Sequence, residues 1–239
     1  VSSGDSVIDP QILQFYKETY VQDPIEKTGF DGNLWKWQYA DYSKTYIVVA
    51  DVARGDSSDY SAAHVIDVEA SEQVAEYRGK LDTKDFGNFL VALATEYNNA
   101  LLVIENANIG WATIQQVIDR NYGNLYYMNK DLKYVDIEHQ HSNRYRSQDK
   151  SMVAGFSTTS RTRPLIIAKL EEYFRDDSVV VHSSRLIDEL FTFIWNGNRA
   201  EAMRGYNDDL TMSLSIGLWV RDTALRLRQE GVDLTKQAL

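Results

Sequence analysis

Two apolar runs in this chain end on a carboxylate. Tyr46–Asp51 reads YIVVAD and Leu101–Glu105 reads LLVIE. Four or five consecutive apolar residues form the pattern of a strand covered on both faces. An unpaired acid has no place inside such a strand, because burying its charge is costly. At the strand's end it stands where the chain leaves the sheet. If the two strands lie side by side and parallel, Asp51 and Glu105 project from the same sheet edge.

The surrounding pattern sets the fold class. SAAHVIDV and EQVAEYRG follow YIVVAD at short spacing, as in an antiparallel meander. TKDFGNFLVALATEYN then places Phe86, Phe89, Leu90, Leu93 and Tyr97 on one helical face, with Thr83 as N-cap. After LLVIE come a helix over Trp111–Arg120, a fifth strand at NLYYM, and a polar, aromatic arm or hairpin from Asn129 to Gly155. RPLIIAKLEEYFRD is a helix with Pro164 in its first turn. VVVH is short and extended, and Ser183–Trp195 suits helix or strand. A long helix over Asp208–Gln229 carries Leu210, Leu214, Leu218 and Leu225 on one side. Upstream, residues 1–40 hold a short helix over Ile12–Tyr20, and Trp35, Trp37 and Tyr39 alternate as on an edge strand or a flap. The sum is a mixed α/β sheet with helices on both faces, a class that places its sites beyond strand ends.

Composition narrows the chemistry. At 239 residues and 44% hydrophobic, the chain suits one large globular domain or two small ones. With no cysteine it has neither disulfides nor thiolate metal sites. No apolar window is long enough for a membrane helix, and VSSGDSVIDP is not a signal peptide. A start at Val1 suggests a piece of something longer. No G-x-x-x-x-G-K-[ST] and no G-x-S-x-G occurs, so neither a Walker-type ATP site nor a hydrolase elbow is expected. The net charge of −10 argues against a general nucleic-acid binder, yet Arg144, Arg146, Lys150, Arg161, Arg163 and Lys169 form a local basic stretch. HQH at 139–141 would need further ligands to bind zinc.

A third acidic feature, the pair Asp208–Asp209, opens the last helix in GYNDDLTMSL. Each acid has a plain alternative. Asp51 suits a turn cap, Asp59 an Asx-turn, Glu105 a surface strand end, and Asp208 or Asp209 a helix N-cap. Folded together, they would repel and resist ionisation unless a cation joined them. Mg²⁺ suits oxygen ligands of this kind. Two such ions about 3.5–4 Å apart suit displacement at a phosphodiester.

VADVARGDSSDYSAAHVIDV, LLVIENANIGWATIQQVI and GYNDDLTMSLSIGLWV resemble the three acidic motifs of the nuclease domain of large terminase subunits from tailed bacteriophages. The resemblance spans roughly Tyr46 to Leu218 and implies a ribonuclease H-like fold, related to RuvC-type resolvases. Its first three strands would be antiparallel and later strands parallel to the first. Residues 1–40 would follow an absent N-terminal ATPase domain, and 41–239 would form the nuclease domain. The family cuts concatemeric viral double-stranded DNA at the start and end of genome packaging, using two ions, Mg²⁺ or Mn²⁺. By motif position, the resemblance makes Asp51, Glu105 and Asp209 catalytic. Asp59 and Asp208 complete the metal shell. GFSTTSRTRPLIIAKL resembles a region near DNA in the family, which brings in Arg161, Arg163 and Lys169; with Arg144, Arg146 and Lys150 they would contact phosphates. Implied partners are DNA, the ATPase domain of the same full-length chain, the portal protein and the small terminase subunit, with no membrane. The implied location is the host cytoplasm at the procapsid portal. A resolvase- or transposase-type nuclease shares the carboxylates and differs in substrate. An actin-like kinase would need a second half and a phosphate loop. A non-catalytic packaging module would not need all three acids.

Overall fold

The computed structural model describes residues 5–53, 55, 59–129 and 152–237. Arg144, Arg146, Lys150, His139 and His141 lie outside these described residues. The chain opens with α1 (Pro10–Thr19), capped by the Asp9 side chain, which accepts from the Gln11 N–H at 2.8 Å. Two short antiparallel strands follow, β1 (Glu26–Thr28) and β2 (Leu34–Lys36). The meander is β3 (Tyr46–Asp51), β4 (Ser61–Asp67) and β5 (Glu72–Gly79), antiparallel throughout. After α2 (Thr83–Glu96), strand β6 (Leu101–Ile104) pairs parallel with β3, Ile47 opposite Leu101 and Ala50 opposite Ile104. The six-stranded sheet runs β1-β2-β5-β4-β3-β6.

The remaining elements are α3 (Gly110–Asp119), β7 (Tyr127–Asn129), β8 (Met152–Ala154), α4 (Thr162–Arg175), α5 (Ser184–Phe191), β9 (Phe193–Asn196), β10 (Arg199–Ala202) and α6 (Asp209–Gln237). Strands β7 and β8 form one small antiparallel pair and β9 and β10 another. No helix among the described residues is long and apolar enough to cross a membrane.

The two-residue period of the strands divides the core. Val48, Ala50, Ala63 and Val65 face α2 and α3, where Phe86, Leu90 and Val117 are buried. Ile47, Val49, Ala62 and Ile66 face the other way, onto Ile166 and Leu170 of α4 and Leu210, Leu214 and Leu218 of α6. Both faces of β3 and β4 are therefore covered, as their unbroken apolar runs require. Removing a side chain such as Phe86 or Leu214 from water contributes about 1.5–3 kcal/mol each. Helix α6 lies close to the sheet at Gly217, where a Cβ would stand 2.8 Å from Val49 Cγ1 and Ile66 Cδ1.

Several expectations need correcting. The N-cap of α2 is Asp82, one residue before Thr83; its carboxylate accepts from the Asp85 N–H at 2.7 Å. Trp35 lies on β2, one strand in from the edge, because β1 pairs outside it. NLYYM splits: Leu125 makes a single parallel bridge to Leu102, and Tyr127 onward pairs with β8. Ser183–Trp195 contains both helix and strand. Ser183 caps α5 by accepting from the Leu186 N–H at 3.2 Å, and the chain then enters the β9–β10 hairpin. That hairpin turns at Gly197, with φ at 61°, a conformation a Cβ disfavours.

Candidate functional site

Strand register brings the first two acids together. Asp51 is the last residue of β3. Glu105 follows the last residue of β6, and its N–H donates to the Ala50 carbonyl at 3.0 Å. The parallel pairing thus continues one step past β6, and Asp51 and Glu105 stand side by side, close enough for the Glu105 charge to act on Asp51.

The start of α6 supplies the other two. Asp208 stands at its N-cap, with its carbonyl accepting from the Met212 N–H at 2.8 Å. Its side-chain Oδ2 accepts from the Ala202 N–H of β10 at 3.3 Å. Asp209 Oδ2 accepts from the Tyr60 N–H at 3.3 Å. Asp59, exposed beside Tyr60, lies close enough for its charge to act on Asp209.

Electrostatics reports the same convergence. Asp51 keeps some solvent contact at the rim, yet desolvation and then the charges of Glu105, Asp209 and Asp208 hold its carboxyl well above the usual carboxylate range. Asp209 is pushed up to about 6, chiefly by burial and then by Asp208 and Asp59, against the Tyr60 N–H and Arg78. Among the described residues no three His, Cys, Asp or Glu side chains stand at metal-ligand spacing. The donor set nevertheless fits a hard divalent cation. It is all carboxylate oxygen, partly desolvated and mutually repelling, and added positive charge would remove the repulsion.

The expected basic residues divide. Arg163 of α4 stands next to the acids, where its charge acts with those of Asp208 and Glu105. Its Nη2 donates to the Ala200 carbonyl at 2.7 Å, while its buried Nε has no hydrogen-bond partner. Arg163 also lines a groove of about 720 Å³ between α4 and the β9–β10 hairpin, with Ser160, Trp195 and Arg199. Arg161 is exposed at the N-terminal end of α4. Lys169 is turned toward α6, with Asp222 and Glu172 each 3.2 Å from its Nζ.

Sequence reasoning passed over three contributors. Arg78 lies opposite Ala62, which lies opposite Asp51, so register alone puts a cation at the acid end of the sheet. Its guanidinium rests 4.8 Å from the Tyr60 ring centre, with the Lys80 ammonium 4.9 Å from the same ring. The meander spacing could have located it. His64 and Glu189, both buried, bond to the first turn of α6. SRLIDELF gives no sign that its glutamate faces inward.

No protein-family model matches the chain. Solved structures do. The large terminase nuclease from thermophilic phage G20c with bound magnesium aligns at TM-score 0.66 and 18% identity, covering 90% of this chain and 97% of that one. The same nuclease with bound cobalt aligns at TM-score 0.65 and 17% identity, with the same coverage. The Thermus phage P74-26 large terminase nuclease domain aligns at TM-score 0.58 and 18% identity, covering 85% of this chain and 92% of that one. The chain therefore has the ribonuclease H-like fold of these domains.

Proposed function

We propose that this chain is a divalent-metal-dependent endodeoxyribonuclease that cuts concatemeric viral double-stranded DNA at the initiation and termination of genome packaging. What supports this reading is that Asp51 and Glu105 end neighbouring parallel strands while the start of α6 stands near enough for the charges of Asp208 and Asp209 to act on Asp51. Acids that repel one another at strand and helix ends suit cation binding better than fold stability. The solved nucleases of the same fold, with magnesium or cobalt bound, support it.

Asp51, Glu105 and Asp209 would hold two ions, Mg²⁺ or Mn²⁺, with Asp59 and Asp208 completing the shell. Bound there, such ions lower the pKa of water and neutralise charge on a phosphodiester. The protein's own groups set the geometry. The β3–β6 pairing fixes the spacing of Asp51 and Glu105, and the Tyr60 N–H orients one oxygen of Asp209. Arg163 and Arg78 provide positive charge beside the acids, where a phosphate would lie. Arg161, Lys169, Arg144, Arg146 and Lys150 would add phosphate contacts of little sequence preference.

In this reading residues 1–40 follow an N-terminal ATPase domain, and 41–239 are the nuclease domain. The portal protein and the small terminase subunit are further partners, at the procapsid portal in the host cytoplasm. The test is plasmid cleavage with Mg²⁺ or Mn²⁺. Wild type should cut and folded Asp51→Asn should not. Full cleavage by the variant removes the reading, and a preference for four-way junctions over linear duplex would redirect it to a resolvase.

A further inference from the structure

Helix α6 must begin within the protein interior: Leu210, Thr211 and Ser213 are all buried. The first N–H groups of a helix have no partner within it. Usually the N-cap side chain turns back to serve them. Here Asp208 does not, since its carboxylate is directed to the Ala202 N–H. The service comes from another helix. Glu189 of α5 accepts from the Thr211 N–H at 3.0 Å and the Thr211 hydroxyl at 3.2 Å through Oε1, and from the Leu210 N–H at 3.4 Å through Oε2.

The carbonyl side of the same residue is held as well. His64 Nε2 lies 2.8 Å from the Leu210 carbonyl, so it carries the proton and donates. Nδ1 then accepts from Gln73 Nε2 at 2.9 Å. Gln73 is fixed in turn, because its Oε1 accepts the His182 and Ser183 N–H groups at 3.0 and 3.2 Å. His64 and Gln73 are fully buried and Glu189 is 6% exposed. Three elements, β4, β5 and α5, thus grip both polar groups of the residue next to Asp209.

Apolar packing lets a helix slide or rotate slightly at small cost. Directed hydrogen bonds to the two peptide groups flanking Leu210 do not. Those groups follow directly on Asp209 in the first turn of α6. We infer that Glu189 and His64 are positioning residues that set where the Asp208–Asp209 turn stands over Asp51 and Glu105, and so set the cation affinity of the acid cluster. This rests on the nuclease reading. Groups that orient the ligands of a metal site typically change affinity by about 10–100-fold when removed.

The test is Mn²⁺ titration of the protein, read by electron paramagnetic resonance of the free ion, beside thermal melts without metal. The variants are Asp51→Asn, Glu189→Ala, Glu189→Gln, His64→Gln and, as a stability control, Leu90→Ala in the core on the opposite sheet face. Glu189→Ala and His64→Gln should weaken Mn²⁺ binding about tenfold or more. Glu189→Gln is isosteric, keeps one accepting oxygen, and should recover part of that loss. Leu90→Ala should lower the melting temperature and leave Mn²⁺ binding as in wild type. If Asp51→Asn binds Mn²⁺ as wild type does, the nuclease reading falls and this inference with it. If Asp51→Asn loses binding while folded Glu189→Gln, Glu189→Ala and His64→Gln keep wild-type affinity, only the positioning role is overturned.

Discussion

Asp51 and Glu105 end neighbouring parallel strands, so two acids stand side by side at one end of the sheet. The sheet leaves them little choice. The Glu105 N–H is committed to the Ala50 carbonyl at 3.0 Å, and the last residues of β3 lie between β4 and β6. Burial and the neighbouring acids hold the Asp51 carboxyl well above the usual carboxylate range. Asp51→Asn replaces a carboxyl whose ionisation is disfavoured by burial and by three neighbours. We expect its metal-free melting temperature at pH 7 to equal or exceed that of wild type, while the rise on adding millimolar Mn²⁺ disappears. Differential scanning fluorimetry with and without the ion checks both. A lower metal-free melting temperature would mean that the carboxylate stabilises the fold, contrary to its surroundings.

The chemistry at Arg163 should be specific to arginine. Its guanidinium donates to the Ala200 carbonyl with one nitrogen and stands beside Glu105 and Asp208, and the residue lines the groove. A lysine ammonium cannot span these positions. We expect Arg163→Ala to weaken DNA binding and to reduce the dependence of log affinity on log salt by about one ion. Arg163→Lys should restore the salt slope without restoring cleavage. Lys169→Ala should change affinity much less, since Lys169 is engaged with Asp222 and Glu172. Fluorescence anisotropy over a salt series gives the slopes, and equal effects at the two positions would count against this role for Arg163.

How much of this was legible depends on the range of the interaction. YIVVAD and LLVIE announced both the strands and the acids at their ends, because a fully covered strand leaves a local record in consecutive residues. Asp209 was different. Nothing in GYNDDLTMSL tells where the helix start will land, and only the resemblance to known motifs joined it to Asp51. Glu189 left no trace, because DEL in a short amphipathic helix reads the same whether the acid faces water or the Thr211 N–H. Arg78 was readable in principle through Ala62, but only with the meander register in hand. Asp82 and Thr83 are both acceptable caps by type, and the backbone, extended at Asp82 (φ −65°, ψ 168°), decided between them.

The ion pair of His182 with Glu72, 2.7 Å apart, should leave a signature in stability against pH. Burial opposes charge on His182, but the Glu72 carboxylate and the Tyr20 carbonyl overcome it and raise the imidazole above its ordinary 6.5. Hydrogen bonding to His182 draws Glu72 below its ordinary 4.5, against partial burial. The histidine's contribution is complete below pH 6.5 and is lost as pH rises through its higher folded value. The glutamate's is complete above 4.5 and is lost as pH falls through its lower folded value. The pair therefore stabilises most between these limits. Subtracting the melting curve of His182→Gln from that of wild type should leave a difference largest near pH 5–6 and smaller at pH 8. The subtraction matters because His64, buried and held below 6.5 mainly by desolvation, gives the opposite slope. A difference that grows toward pH 8 would show that His182 is neutral in the fold.

Gly217 tests whether the seating of α6 on the sheet and the function of its first turn are one property. A Cβ there would meet Val49 Cγ1 and Ile66 Cδ1 at 2.8 Å, well inside contact distance. Alanine would gain about 0.5–1 kcal/mol in helix propensity. It would lose a comparable amount if the Ile66 methyl swings aside and Val49 shifts a little. We expect Gly217→Ala to be near neutral in stability. Valine adds two further methyls against β3 and β4, and overpacking of that kind typically costs about 1–3 kcal/mol. To accommodate it the helix must lift from the sheet, drawing Asp208 and Asp209 away from Asp51 two turns upstream. Gly217→Val should then lose Mn²⁺ affinity and DNA cleavage together, at temperatures where circular dichroism shows it folded. A folded valine variant with wild-type Mn²⁺ affinity would show that the hydrogen bonds of Glu189 and His64 hold the acid-bearing turn in place even when the helix behind it has moved.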